Sequence, residues 1–324
     1  MDPHTIAIVS GLGAAGVAAA SMLAVAARWR ALAHTPALDC AGRRGGIDGF
    51  WVDTGRYRMY CRTHPGPADA ADRLPVVLVH GLVISSRYMT PLAAVLGREL
   101  RVYAPDLPGF GESAIVSGSR RERGRALSIP ELADALHGWM RACGIGRAAF
   151  VGNSFGCQVL AEFAARFPAE VACVVLQGIT TDPRARHLPL LAWRDFVNGR
   201  REAPRSPAAP GRIDYAKAGL ARAFATMRVL VRDRIEYRLP RVSAPALVVA
   251  GTRDPVAPAD WAADAARRLR DGRLLVMPGG THTLNYTYPH AFAFAILPFL
   301  LAHTRRTGDR HDAPVAARQP EAVR

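Results

Sequence analysis

The chain has 324 residues, of which 50% are hydrophobic and 21% are charged, so it can bury one large core or two small ones. Its formal net charge is +15, but the basic residues are nearly all scattered arginines, and Lys217 is the only lysine. Because no nucleic-acid-binding motif accompanies this charge, we expect no nucleic-acid partner and at most weak attraction to anionic membrane surfaces.

The cysteines also exclude some classes of protein. Their number is odd, and their wide spacing forms neither a metal-binding pattern nor a C-x-x-C pair. We therefore predict free, mostly buried thiols in a reducing compartment, with no disulfide scaffold and no metal site. The five residues are Cys40, Cys61, Cys143, Cys157 and Cys173.

The N-terminal segment is apolar. Ile6–Ala27 carries no charge and is long enough to span a bilayer as a helix, with Arg28 and Arg30 directly after it. We therefore predict that residues 1–30 anchor the protein in the inner membrane. The arginines at the C-terminal end of the run predict that the following domain lies in the cytoplasm. The alternatives are a helix lying on the membrane surface, a translation start at Met22, and a soluble cytoplasmic protein.

After a linker at 31–49, short apolar runs alternate with helical segments. The predicted elements are a hairpin over Phe50–Arg62, strands over Val76–Val79, Arg101–Ala104, Ala149–Val151, Val171–Leu176, Ala246–Ala250 and Leu274–Met277, and helices over Pro91–Arg98, Ser128–Ala142, Cys157–Arg166, Asp260–Leu269 and His290–Leu301. This alternation predicts an α/β fold with a mostly parallel central sheet and helices on both faces.

Two segments depart from the alternation. The segment from about residue 180 to 241 contains helical patches and a proline-rich loop. It falls between two predicted strands, which is where a lid over the site would be inserted. Residues 303–324 are polar and are predicted to be a disordered tail. The domain itself is therefore expected to cover residues 50–302, with a small helical lid.

The most informative motif is Gly152–Gly156, which reads Gly-Asn-Ser-Phe-Gly and matches G-x-S-x-G. A predicted strand runs into it and a predicted helix follows it. In such a turn the backbone of the serine is strained, and glycines on both sides allow the close approach of strand and helix. The pattern predicts that Ser154 is a nucleophile placed at the tip of a strand.

A serine nucleophile needs a base and a group that orients the base. Asp254 and His282 follow Ser154 in the order typical of G-x-S-x-G proteins, and each comes just after a predicted strand. Since ligand sites in parallel sheets lie beyond the carboxyl ends of the strands, we predict a Ser154–His282–Asp254 triad. Asp106 is interpreted as a structural carboxylate and is the alternative acid.

These motifs resemble those of the α/β-hydrolase superfamily from about Phe50 to Leu301. The resemblance rests on His80-Gly81, on Asp106-Leu-Pro-Gly-Phe-Gly-Glu-Ser113, on the serine turn, on Gly-Thr-Arg-Asp254 and on Gly-Gly-Thr-His282. It implies that the backbone N–H groups of Leu82 and Phe155 form the oxyanion hole, and that His80 stabilises the loop behind it. Epoxide hydrolases and haloalkane dehalogenases are similar but carry aspartate where this chain has Ser154.

The resemblance implies a serine hydrolase that cleaves a carboxylic ester through an acyl-enzyme, without a metal or organic cofactor. The turn is also similar to that of the serine C–C hydrolases of meta-cleavage pathways, although Leu82–Ser86 lacks their glycine-rich loop. C–C bond hydrolysis and acyl transfer to an alcohol therefore stay open, as does, less favoured, a non-catalytic binding protein on the same fold. The expected partner is a small molecule with an apolar acyl group. The oligomeric state is left open.

Overall fold

A nine-stranded sheet forms the centre of the protein in the computed structural model, which describes residues 21–203 and 205–305. The strands are β1 (Asp48–Asp53), β2 (Tyr57–His64), β3 (Val76–Val79), β4 (Val102–Pro105), β5 (Ala114–Ile115), β6 (Ala148–Asn153), β7 (Val171–Gln177), β8 (Ala246–Gly251) and β9 (Gly272–Met277). Their order is β1-β2-β4-β3-β6-β7-β8-β9, with β5 beside β2. The six strands from β4 to β9 along this order are parallel, and β1, β2 and β5 add antiparallel pairs at one edge.

Helices cover both faces of the sheet. They are α1 (21–33), α2 (Cys40–Arg44), α3 (Thr90–Leu96), α4 (Arg120–Gly124), α5 (Ile129–Ala142), α6 (Phe155–Arg166), α7 (Leu188–Glu202), α8 (Ala208–Ala218), α9 (Leu220–Arg232), α10 (Ala259–Arg268), α11 (Leu284–Thr287) and α12 (Pro289–His303). One apolar core includes side chains of α5, α6 and α10, and the other includes those of α3 and α12. The predicted α/β fold is confirmed.

The apolar runs of the sequence explain this two-faced core. In β3, Val77 and Val79 pack in the core beside α5 and α6, whereas Val76 and Leu78 pack in the core beside α3 and α12. Successive side chains of a strand point to opposite faces, so a strand that is covered on both faces must be apolar throughout. All four residues are fully buried, as their continuous apolar run predicts.

Helix α5 begins with a capping box. Ser128 accepts a hydrogen bond from the Glu131 amide, and the Glu131 carboxylate accepts one from the Ser128 amide. A second box, formed by Ser119 and Glu122, starts α4. In both helices the cap supplies partners for the free amide groups of the first helical turn.

The interruption between β7 and β8 holds α7, α8 and α9, which supply much of the wall of a cavity above the carboxyl ends of the strands. Asp214 of α8 attaches this layer to the core, because its buried carboxylate accepts hydrogen bonds from the amide and the hydroxyl of Ser85 at 2.8 and 2.9 Å. The segment therefore occupies the position expected of a lid.

Most of the predicted anchor, Ile6–Ala27, lies outside the described residues, and so does the tail after residue 305. In the part of the chain that the structure describes, every helix is too short or too polar to cross a bilayer. The predicted linker contains the end of α1 and the short helix α2. On α1, Met22, Leu23 and Val25 are exposed.

Side chains of the core and of α8 fix the backbone at residues 35–37 by hydrogen bonds. The backbone oxygens of Thr35 and Pro36 accept hydrogen bonds of 2.8 Å from Lys217 and Arg87, and Ala37 accepts one from the buried Arg62. We expect removal of residues 1–30 to leave an active domain with an unchanged thermal unfolding temperature, since these contacts remain. Removal of residues 1–38 should lower the free energy of unfolding by about 1–3 kcal/mol for each buried donor that loses its partner.

Removal of residues 1–30 also tests the predicted membrane anchor. Full-length protein is expected to sediment with membranes even at high salt, and the protein without residues 1–30 is expected to stay in the supernatant. Full-length protein found entirely in the supernatant would contradict the anchor. Unfolding of the shorter protein would show instead that the segment covers apolar surface of the core.

Candidate active site

Ser154 lies between the end of β6 and the start of α6. Its backbone angles are φ 54° and ψ −118°, a conformation that residues other than glycine rarely adopt. Backbone strain of this kind costs about 1–3 kcal/mol and is found mainly at functional sites. The turn gives Ser154 a place in the wall of the cavity while the residue as a whole remains 8% exposed.

The two glycines of the motif allow this turn to pack against the sheet. A Cβ atom on Gly156 would lie 2.4 Å from the backbone oxygen of Val79 and 2.7 Å from that of His80. A Cβ atom on Gly152 would lie 2.8 Å from a methyl carbon of Leu160 and 3.1 Å from the backbone of Gly156. Any larger residue at position 156 would push α6 away from β3 and would displace Ser154 with it.

His282 and Asp254 form a buried pair beside Ser154. Nδ1 of His282 is 2.9 Å from Oδ2 of Asp254, while Oδ1 of Asp254 accepts hydrogen bonds from the amides of Val256 and Ala257. A carboxylate at Nδ1 fixes the tautomer in which Nδ1 carries the proton and Nε2 is a free base. Both His282 and Ser154 line the cavity, and no hydrogen bond between these two described side chains is present.

Burial lowers the pKa of His282, but the charge of Asp254 and its hydrogen bond act in the opposite direction. The net result is a pKa above the ordinary value for histidine. The negative charges of Glu202 and Asp195 also contribute to this rise. The site therefore stabilises the protonated, positively charged imidazole, which is the form that a histidine takes after it accepts a proton as a general base.

The loop that carries His282 is fixed from the core by two amide side chains. The backbone oxygen of His282 accepts hydrogen bonds from Gln177 at 2.7 Å and from Asn153 at 3.0 Å, and these two side chains are themselves linked at 2.5 Å. Asn153 lies in the G-x-S-x-G motif, so a role in the site was open to prediction from its position. Gln177 carries no such signal.

The lid fixes the same loop from the other side. The side-chain oxygen of Asn198 accepts a hydrogen bond of 3.1 Å from the His282 amide. Glu202 accepts bonds of 2.9 and 2.7 Å from the amide and the hydroxyl of Thr283. Both residues belong to α7, and neither was predictable from the sequence, because nothing in a helical segment shows that it crosses above a loop 84 or 81 residues later.

Leu82 and Phe155, whose amides the resemblance implies as the oxyanion hole, lie at the cavity and directly after Ser154, respectively. Leu82 lines the cavity beside Ser154, and Phe155 is the first residue of α6, where the helix dipole favours negative charge. Neither amide donates a hydrogen bond to another group within residues 21–203 and 205–305. Val83, next to Leu82, has φ 58°, so the chain holds a branched residue in a strained conformation at this loop.

His80 and Asp106 have other partners. Nδ1 of fully buried His80 is 2.9 Å from the backbone oxygen of Gly81, and its Nε2 accepts a hydrogen bond of 2.9 Å from the Leu107 amide. Asp106 accepts hydrogen bonds from the amide and the hydroxyl of Ser86, and it forms an ion pair with buried Arg62 at 3.2 Å. The structure pairs His282 with Asp254 and places the alternative acid Asp106 in a separate buried network.

The cavity shared by Ser154 and His282 has a volume of about 880 Å³. Apolar side chains from the core and the lid form much of its wall, and they are Leu82, Ile84, Leu191, Met227 and Leu230. The wall also contains polar and charged residues, among them Asp195, Asn198 and Tyr215 of the lid. A cavity of this size accepts a drug-sized organic molecule.

Comparison with known sequences decides the family. The model of the family described as "Alpha/beta hydrolase family" matches residues 76–296, which include the serine motif and the His282–Asp254 pair. The chain belongs to the alpha/beta hydrolase family. Family membership confirms the resemblance seen in the sequence and supports a hydrolase.

Relatives and solved structures within this family are distant. A protein of Escherichia coli O127:H6 assigned as the carbamate hydrolase RutD is 26% identical over 254 residues, covering 71% of this chain and 92% of the relative. A membrane phospholipase A structure has a TM-score of 0.65 and 22% identity, covering 93% of this chain and 99% of the other. An esterase structure from Thermogutta terrifontis has a TM-score of 0.61 and 23% identity, covering 79% and 100%. Likeness to these structures shows a shared fold.

Proposed function

We propose that this alpha/beta hydrolase cleaves a carboxylic ester, with Ser154 as nucleophile, His282 as general base and Asp254 as the residue that orients His282. One observation carries the proposal. A serine in a strained strand-to-helix turn shares a cavity with a histidine whose Nδ1 is bound to a buried carboxylate. This combination makes a serine hydroxyl nucleophilic near neutral pH.

Acylation begins when Nε2 of His282 takes the proton of the Ser154 hydroxyl as Oγ attacks the ester carbonyl carbon. The carbonyl oxygen becomes negative and accepts hydrogen bonds from the amides of Leu82 and Phe155. Asp254 stabilises the imidazolium without taking its proton. The tetrahedral intermediate then expels the alcohol, which receives the proton from His282, and the acyl group remains on Ser154.

Deacylation repeats these steps with water. Nε2 of His282 takes a proton from water, whose oxygen attacks the acyl carbon, and the same two amides stabilise the oxyanion. Collapse of the intermediate breaks the bond to Ser154 Oγ, which regains a proton from His282, and the acid leaves. Neither half-reaction requires a metal or an organic cofactor.

The cavity supports an ester with an apolar acyl group. Contact between its leucine, isoleucine and methionine side chains and a hydrocarbon chain stabilises binding by about 25 cal/mol for each Å² of apolar surface removed from water. The relatives assigned as carbamate hydrolases make a carbamate the second substrate to test, because its carbonyl would be attacked in the same way.

A panel of nitrophenyl esters of increasing acyl length tests this substrate class. We expect kcat/KM to rise with acyl length until the cavity is filled and then to fall. Its acidic limb should lie at a pH above the ordinary pKa of histidine, because the base must be neutral and the pKa of His282 is raised. Turnover of carbamates or C–C bonded diketones with no turnover of any ester would contradict the proposal.

A further inference from the structure

One acidic side chain in the cavity has no partner. Asp195 of α7 lines the cavity together with Ser154 and His282. Within the described residues, no hydrogen bond or ion pair involves its carboxylate, and the residue is exposed. Glu202, the other acidic residue of the cavity wall, is held by two hydrogen bonds from Thr283.

The surroundings of Asp195 favour a positive ligand. Asp195 is exposed and lines the cavity, so a molecule that enters the cavity can reach its carboxylate. Tyr215 of α8 lines the same cavity. A carboxylate and an aromatic ring therefore border the same space, and both groups attract cations.

Arg200, another charged residue of the wall without an ion pair among the described residues, does not neutralise Asp195. Arg200 also borders the cavity, but it follows Asp195 by five residues on the same helix, which places it about 140° further around the helix axis. No ion pair joins the two side chains, both of which the structure describes. Asp195 is thus available to a molecule that enters the cavity.

We propose that Asp195 and Tyr215 form a subsite for a positively charged ammonium group, so that the preferred substrate is a cationic ester. The inference rests on the proposed ester hydrolysis and adds a substrate class to it. The carboxylate of Asp195 binds the cation while the acyl carbon is presented to Ser154. The subsite lies beside the apolar wall, so the same cavity holds an ester with one charged end and one hydrocarbon part.

Matched esters of equal shape and different charge test the subsite. One pair is a choline ester and the 3,3-dimethylbutyl ester of the same acid, with the charge in the alcohol. The other pair is the nitrophenyl esters of 4-(trimethylammonio)butyrate and 5,5-dimethylhexanoate, with the charge in the acyl group. We expect wild-type kcat/KM to favour the cationic member of at least one pair, and Asp195→Asn to reduce that preference about tenfold or more.

Three controls separate the subsite from general effects. Asp195→Glu keeps the charge and should keep the preference. Asp264→Asn removes the same charge from α10, where Asp264 pairs with Arg267 and Arg268 outside the cavity, and should leave the preference unchanged. Loss of Asp195 also lowers the pKa of His282, but that change affects both members of a pair equally and cancels in their ratio.

Equal kcat/KM for both members of both pairs in wild type, or a preference that survives in Asp195→Asn, would overturn the subsite while ester hydrolysis stands. If wild type hydrolyses no ester and does not react with a fluorophosphonate, the proposed function fails, and the subsite fails with it. The thermal unfolding temperature of Asp195→Asn should match that of wild type, because the side chain has no partner to lose within the described chain.

Discussion

Ester hydrolysis by Ser154→Ala is expected to fall by roughly 10⁴- to 10⁶-fold, because the substitution removes the only atom that forms the acyl-enzyme. The fold should be retained, since the strained backbone at position 154 depends on Gly152 and Gly156 and the Ser154 hydroxyl makes no hydrogen bond within the described residues. Steady-state kinetics of a nitrophenyl ester, with thermal unfolding measured in parallel, gives both numbers.

Ser206→Ala is the matched control for this variant. Ser206 also lines the cavity, and its hydroxyl accepts only a hydrogen bond of 3.3 Å from the Ala208 amide. It should keep activity within a few-fold of wild type. A Ser154→Ala protein that is folded and retains more than about a tenth of the wild-type rate would remove Ser154 from the mechanism.

Asp254→Asn is expected to lower kcat by up to roughly 10⁴-fold through the tautomer of His282. Oδ1 of Asp254 accepts hydrogen bonds from the amides of Val256 and Ala257, so the oxygen of the new asparagine will keep that position. Its NH₂ group then faces Nδ1 of His282, which must become an acceptor. The proton moves to Nε2, and the imidazole can no longer take the proton of Ser154.

The pH profile of residual activity checks this reasoning independently of the rate. The negative charge of Asp254 raises the pKa of His282, so its removal should move the acidic limb of kcat/KM to lower pH. Asp106→Asn is the comparison variant. It should lower the free energy of unfolding, because buried Arg62 loses its charged partner, and should leave the acidic limb in place. A mild effect of Asp254→Asn with a severe loss of kcat in folded Asp106→Asn would assign the orienting role to Asp106.

The parts of the site that lie close to a strand end were predictable from the sequence. Buried parallel strands show as continuous apolar runs, and Ser154, Asp254 and His282 each follow such a run in an order typical of the G-x-S-x-G pattern. Since the carboxyl ends of parallel strands meet at one edge of the sheet, the pattern alone predicts that these three residues converge. The start of α5 was predictable for a similar reason, because the capping box of Ser128 and Glu131 acts within four residues.

The contacts that hold His282 were not predictable. Gln177 and Asn153 bind the backbone of a residue more than 100 positions away, and Asn198 and Glu202 reach the same loop from a helix whose sequence shows no preference for that position. Such contacts depend on how the lid packs on the core. The subsite at Asp195 follows from the same packing, since only the fold places this carboxylate and Tyr215 in one cavity.

Reaction of the full-length protein with a fluorophosphonate probe, followed by mass spectrometry of its peptides, tests the central claim most directly. Such a probe phosphonylates a serine that a neighbouring base has activated. We predict one adduct, on Ser154, formed at a rate that rises as His282 loses its proton and abolished in Ser154→Ala. An adduct on a different residue, or no adduct on folded protein that hydrolyses esters, would contradict the account.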